Sequence, residues 1–186
     1  MQVPLKEEQE FTYADYCTWQ DDERWELIDG KAYAMSPSPS MLHQEISGNL
    51  YLQLAGFLKG KPCRVFFAPF DVRLNANTFD NTVVQPDLVV ICDRSKLKDT
   101  GCIGTPDMVI EILSPSTSRR DRTIKFDLYL KYGVREYWMV DPDTKTVSAH
   151  VLKVGEYTIR AYTDADKAPV HVLEGCTINL SEVFED

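Results

Sequence analysis

Apolar positions along the chain change period in an order that predicts strands interleaved with two amphipathic helices. Trp25-Glu26-Leu27-Ile28 and Ala32-Tyr33-Ala34-Met35 flank Asp29-Gly30-Lys31, and Asp-Gly between two such runs is the chemistry of a tight hairpin turn. Leu42, Ile46, Leu50, Leu54 and Leu58 recur every fourth residue, lining one face of a helix of about four turns. A serine of the Ser36–Ser40 run caps it and Gly60-Lys61-Pro62 stops it. Residues 63–74, 82–92 and 107–113 then read as three strands, the last two nearly continuous apolar runs of the kind buried on both faces. Ser114-Pro115-Ser116-Thr117 leads into a second helix over residues 118–132, ended by Gly133. Glu136 to Val140 is a further strand, and the rest reads as a hairpin plus a short tail. Ahead of the first hairpin, Phe11, Tyr13, Tyr16 and Trp19 are placed to pack a short helix onto the core. This order predicts an α/β (α+β) fold, a mixed sheet flanked by helices, in one domain over residues 1–186.

Composition narrows the function classes. At 186 residues, 44% hydrophobic and 26% charged, the chain can bury a core without disulfides, and bulk disorder is excluded. No apolar run approaches the roughly 18 residues of a membrane span. Met1 to Glu10 is acidic and polar, without the basic start and apolar stretch of a signal peptide. The expectation is a cytoplasmic protein with no membrane partner. Five cysteines, an odd number without a CxxC pair and mostly among apolar neighbours, are expected as buried, reduced thiols. His43, His150 and His171 lie far apart, and no HExxH or Cys/His quartet points to zinc. A Walker A loop, a GxGxxG turn and a GxSxG elbow are also absent.

The net charge of −9 argues weakly against a nucleic-acid partner, because phosphate binding is supplied by cations. Partition of that charge changes the picture. Residues 114–135 hold six basic residues and two acids, net +4, leaving −13 for the remainder. Eight acids against two bases fall in the first 26 residues.

Two acids interrupt the interior strands: Asp87 after Pro86, and Glu111 within Met108-Val109-Ile110-Glu111-Ile112-Leu113. An unpaired carboxylate there costs several kcal/mol or takes up a proton, so each needs a partner. Singly, each could be a structural residue bonded to a loop. If their strands are neighbours, both converge at one sheet edge and can hold a hard divalent cation through oxygen. Pro86 suits a bulged or unpaired strand position. Asp121, Lys125 and Tyr129, at i, i+4 and i+8, lie along one face of the following helix. Arg119, Arg120 and Arg122 at its start are candidates for phosphate contact. His43 and Gln44 at the start of the first helix, and Glu26 in the hairpin, would join the site only if those elements approach the acids.

Glu26-Leu27-Ile28-Asp29-Gly30, Met35-Ser36-Pro37-Ser38-Pro39 with His43, Pro86-Asp87, Glu111-Ile112-Leu113-Ser114-Pro115-Ser116, Asp121 with Lys125 and Tyr129, and Gly133-Val134-Arg135-Glu136-Tyr137-Trp138 occur in that order. Together they resemble the bacterial Uma-two family of restriction-endonuclease-like proteins, in the PD-(D/E)XK nuclease superfamily, over about residues 11–182. The resemblance implies a restriction-endonuclease-like fold and hydrolysis of phosphodiester bonds, most readily in DNA, with Mg²⁺ or Mn²⁺. Asp87 and Glu111 would ligate the metal with the backbone carbonyl of Ile112. Leu113 stands where the superfamily pattern has its lysine, and the resemblance implies that Lys125 takes that role, positioned by Asp121. Glu26, His43, Gln44 and Tyr129 would support the site. By analogy with nucleases of this size, a homodimer is compatible with the resemblance. Two other readings stay open: a non-cleaving nucleic-acid-binding or accessory protein on the same fold, to which Leu113 and the acidity point, and a structural protein whose two acids are hydrogen-bonded in the interior.

Overall fold

The computed structural model describes residues 10–19, 24–35 and 38–185. Met1 to Gln9, most of the stretch read for a signal peptide, and Ser36–Pro37 of the serine–proline run lie outside them. The hairpin of β1 (Trp25–Ile28) and β2 (Lys31–Ala34) closes through Asp29 and Gly30 at φ 46° and 78°, the left-handed pair the Asp-Gly turn calls for. Before it, α1 (Tyr13–Tyr16) is capped by Thr12, and Tyr16 and Trp19 stack edgewise toward Trp25, as the aromatic spacing predicts.

Helix α2 (Met41–Leu58) starts on a Ser40 cap and buries Ile46, Leu50, Leu54 and Leu58. Leu42 stays 39% exposed, so the apolar stripe begins one turn later than its spacing suggests. Residues 63–74 and 82–92 do not form one strand each. The first divides into β3 (Arg64–Phe67) and β4 (Val72–Arg73), the second into β5 (Val83–Val84) and β6 (Leu88–Ile91). The breaks fall at Pro69 and Pro86, where no N–H is available to the ladder. At each break the chain changes sheets. After a 3₁₀ turn at Arg94–Lys96 come β7 (Leu97–Lys98), β8 (Gly101–Ile103) and β9 (Met108–Ile112).

The second helical segment is not one regular α-helix. It runs as α3 (Ser118–Arg120), a π-helical turn (Asp121–Lys125) and α4 (Phe126–Lys131). Strand β10 (Glu136–Asp141) and the hairpin β11 (Thr146–Lys153) and β12 (Glu156–Thr163) follow. The tail forms β13 (Lys167–Pro169), β14 (Thr177–Asn179) and α5 (Leu180–Val183).

Two six-stranded mixed sheets result, ordered β12-β11-β10-β9-β6-β3 and β2-β1-β5-β4-β8-β7. In the first, β9 and β10 are parallel and the other pairs antiparallel. One face of that sheet (Leu88, Val90, Ile110, Ile112, Trp138) packs under α2 and the C-terminal tail. The opposite face (Val89, Ile91, Val109, Tyr137, Met139) packs on Leu128 and Tyr129 of α4 and on residues of the second sheet. Among the described residues no helix is long and apolar enough to cross a membrane.

The cysteine expectation is corrected in part. Pairing of Arg64 with Ile91 brings the flanking Cys63 and Cys92 together, and they form a disulfide. Cys17 is exposed, whereas Cys102 and Cys176 are buried thiols pushed up to about 11 by desolvation.

His150 is buried on β11, 3.1 Å through Nδ1 from the Tyr137 carbonyl oxygen, and burial lowers its pKa. The unfolded chain therefore protonates it first. Its stabilising contribution is present above about 6.5 and declines as pH falls toward the lowered folded value. Urea unfolding at pH 7 and 5.5 should show a shallower acid loss for His150→Gln than for wild type. Equal losses would remove His150 from the acid response.

Candidate active site

The two sheets meet at Gln85-Pro86-Asp87, between the end of β5 and the start of β6, and the buried charges gather there. Register pairs Leu88 with Ile110, so one further step sets Asp87 beside Glu111, and opposed residues of an antiparallel pair share a face. Asp87 Oδ2 accepts the Ile112 N–H at 2.7 Å and lies 3.2 Å from His43 Nε2. The Ser40 cap takes the His43 N–H at 3.2 Å, placing that residue in the first turn of α2. Burial pulls the His43 pKa down, but the hydrogen bond and charge of Asp87 outweigh it, and the net shift is upward.

Glu111 is 4% exposed, and its Oε1 accepts from Lys125 Nζ and Tyr129 Oη, each at 2.8 Å. Lys125 Nζ also lies 2.8 Å from Glu26 Oε1 and 3.7 Å from Asp121 Oδ1. Glu26, carried in by the hairpin, accepts the Gln85 N–H at 3.0 Å and sits 3.5 Å from an Arg120 guanidinium nitrogen. Tyr137 Oη donates to the Asp121 carbonyl at 3.1 Å, fastening the π-helical turn to the sheet. A widened turn at this point fits the tendency of such turns to occur at functional sites.

Burial drives the Glu111 pKa well above the carboxylate range; Lys125 opposes the shift while Asp121, Asp87 and Glu26 add to it. Asp121 is raised for the same first reason, again against Lys125. Burial alone would depress Lys125, but Glu111, Glu26 and Asp121 reverse the sign and hold it protonated. Desolvation also raises Tyr129, keeping its hydroxyl a donor.

Four carboxylates (Glu26, Asp87, Glu111, Asp121) thus face two permanent cations, Lys125 and Arg120. The excess of two negative charges must be met by protons or by a divalent cation. Among the described residues no three His, Cys, Asp or Glu side chains form a metal cage by themselves. Mg²⁺ does not require one, since it keeps several waters and takes one or two carboxylates plus substrate phosphate. Asp87 and Glu111 with the Ile112 carbonyl are hard oxygen donors of that kind, so the residues present fit the ion.

Of the sequence candidates, Asp87, Glu111, Lys125, Asp121, Tyr129, Glu26, His43 and Ile112 come together. Gln44 is exposed and joins none of these contacts. The arginine patch is corrected. Arg120 is largely buried on Glu26, and Arg122 is paired with Asp141 at 2.9 Å, leaving only Arg119 exposed without such a pairing. Farther along the same segment, Lys131 pairs with Asp29 and Arg135 with Asp107, each at 2.9 Å. Counting charge along a helix does not count the acids that other elements bring to it.

Gln85 was not singled out by sequence reasoning. Besides the N–H it gives Glu26, its Nε2 donates to Asp71 at 2.8 Å and its Oε1 accepts from Arg24 at 2.6 Å. The available signal was a polar residue ending an interior strand directly before Pro86-Asp87.

The architecture is that of a nuclease-like α+β fold with a buried acid–lysine centre where its sheets meet. The chain belongs to the Uma2 family, whose model, described as "Putative restriction endonuclease", matches residues 12–181. It is 31% identical over 157 residues to an uncharacterized protein of Synechocystis sp., covering 82% of this chain and 80% of that protein. It also resembles a crystal structure described as "a putative nuclease belonging to DUF820" from Anabaena variabilis. That match has a TM-score of 0.75 at 22% identity and covers 94% of this chain and 97% of the other, a likeness of fold.

Proposed function

We propose that this protein is a metal-dependent endonuclease that hydrolyses phosphodiester bonds in DNA. The observation that carries the reading is the Lys125 ammonium 2.8 Å from Glu111, beside Asp87, in a chain whose acid-x-lysine position holds Leu113. Family membership supports nuclease chemistry in general. Asp87, Glu111 and the Ile112 carbonyl would hold Mg²⁺ or Mn²⁺. When bound, the ion lowers the pKa of a coordinated water and polarises the phosphate. Lys125 offers a fixed positive charge to the phosphorane as negative charge develops, and Glu26 and Asp121 keep it in place. Tyr129 fixes the Glu111 carboxylate, while His43 and the Ile112 N–H fix that of Asp87.

Supercoiled plasmid and single-stranded DNA incubated with Mg²⁺, Mn²⁺ or EDTA test the reading. Cleavage is expected only with a divalent ion, and Asp87→Ala should reduce it at least about 10-fold. Cleavage in EDTA, or unchanged by Asp87→Ala, would sink it. The two donors already on Glu111 Oε1 favour a second reading, a DNA-binding protein that does not cleave. DNA binding without divalent-dependent cleavage would establish that one.

A further inference from the structure

The helix that looked basic in sequence is neutralised in the fold, which raises the question of where free positive charge stands. Residues 46–70 contain no Asp or Glu and carry Lys59, Lys61 and Arg64, a local +3 in a chain of net −9. This segment runs from α2 through the Gly60–Cys63 turn into β3. Arg94 joins it: its Nε donates to the Pro62 carbonyl at 3.1 Å, and the Cys63–Cys92 disulfide ties the two stretches together. Arg64 donates to the Lys61 and Cys63 carbonyls at 2.7 and 3.0 Å, and Lys61 lies 3.0 Å over the Phe57 ring. Lys59, Lys61 and Arg94 are exposed, and none of the four cations has a carboxylate partner among the described residues.

The surface beside Lys59 and Arg64 is concave and partly aromatic. Tyr51, Leu58, Lys59, Arg64 and Val65 line part of a depression of about 280 Å³. The Tyr51 ring meets Phe67 edge-on at 5.0 Å, and Phe67 is 56% exposed at the end of β3. One residue farther, the Ala68 N–H donates to the Asp87 carbonyl at 3.0 Å. The β3 edge therefore leads from the basic turn to the acid centre. From Arg64 to Ala68 the strand rises about 13 Å, on the order of four nucleotide steps of one strand in a duplex.

We propose that the α2–β3 face, with Lys59, Lys61, Arg64 and Arg94 at one end and Phe67 at the other, is the track along which a nucleic-acid strand reaches the acid centre. Free cations meet the phosphates and an exposed ring offers a base a stacking surface, the two elements of a strand-binding groove. The inference rests on nucleic acid being the substrate and adds the path by which it binds.

Fluorescence anisotropy of a labelled DNA 20-mer, single-stranded and duplex, tests the track in EDTA and with Ca²⁺ independently of cleavage. The Lys59→Ala/Lys61→Ala/Arg94→Ala variant should weaken duplex binding at least about 10-fold near 0.1 M salt. It should also lower the slope of log Kd against log salt by about 2–3. Phe67→Ala should weaken single-strand binding about 5-fold or more and duplex binding less. Lys131→Ala/Arg135→Ala, which removes two paired charges elsewhere, should leave affinity within about twofold. A triple variant with wild-type affinity and slope overturns the track even if the protein cleaves DNA, as does a wild type that binds neither DNA. Loss of binding in the triple variant, with wild type inert in Mg²⁺ and Mn²⁺, upholds the track and removes the nuclease reading alone.

Discussion

Lys125→Met is expected to lower the unfolding free energy by about 3–5 kcal/mol and to abolish divalent-dependent cleavage. Lys125 is 3% exposed and holds two carboxylate oxygens at 2.8 Å. Methionine fills a similar volume, so the loss reports charge more than packing. Its removal leaves Arg120, 3.5 Å from Glu26, as the permanent counter-ion described beside Glu26, Glu111 and Asp121. The stranded acids then take up protons on folding, so the loss should be greater at pH 8 than at pH 5.5. Urea unfolding measures it. Adding Asp121→Asn to Lys125→Met should restore part of the stability and none of the cleavage, because it removes a stranded charge without returning the cation. A Lys125→Met chain within about 1 kcal/mol of wild type at pH 8 would mean that the ammonium is not what balances the acids.

The elements that place Lys125 were legible to different depths. Leucines and isoleucine at every fourth position mark α2, and Asp29-Gly30 marks the hairpin, because local geometry alone decides both. Asp87 and Glu111 were legible because a carboxylate inside an apolar strand has few inexpensive explanations. The division of residues 63–74 and 82–92 between two sheets was not legible. A strand that changes partners keeps its apolar pattern, and only Pro69 and Pro86 hint at the break. The i, i+4, i+8 reading put Asp121, Lys125 and Tyr129 on one face, and they do meet at Glu111, but through a π-helical turn that no periodicity announced. Long-range pairing was least legible. Arg120 on Glu26 and Lys131 on Asp29 join positions 94 and 102 residues apart, so a basic run in sequence became a neutral surface in the fold. The acid-free stretch of residues 46–70 was equally visible in the sequence. Its meaning depended on knowing that its cations stay unpaired.

Glu111→Gln should separate chemistry from stability with opposite signs. Burial raises the Glu111 pKa, so the folded chain resists its ionisation. For an acid raised in this way, the stabilising contribution is complete below the unfolded value near 4.3. It is lost as pH rises through the folded value. Glutamine keeps an oxygen for Tyr129 and Lys125 and carries no charge, while Glu26 and Asp121 still hold the ammonium. The variant should therefore match wild type near pH 4.5. At pH 8 without divalent ions it should be equally stable or up to about 2 kcal/mol more stable, since one of two excess negative charges is gone. Cleavage should fall at least about 100-fold, because even residues that only orient metal ligands cost 10–100-fold when removed. Mg²⁺ or Mn²⁺ should also raise the melting temperature of wild type more than that of Glu111→Gln, since the variant lacks one of the two carboxylates proposed to bind the ion. A loss of more than about 2 kcal/mol at pH 8, with cleavage retained, would assign Glu111 to the architecture of the core. A neutral or positive change in stability, with cleavage lost, identifies a buried charge that the fold tolerates for its chemistry.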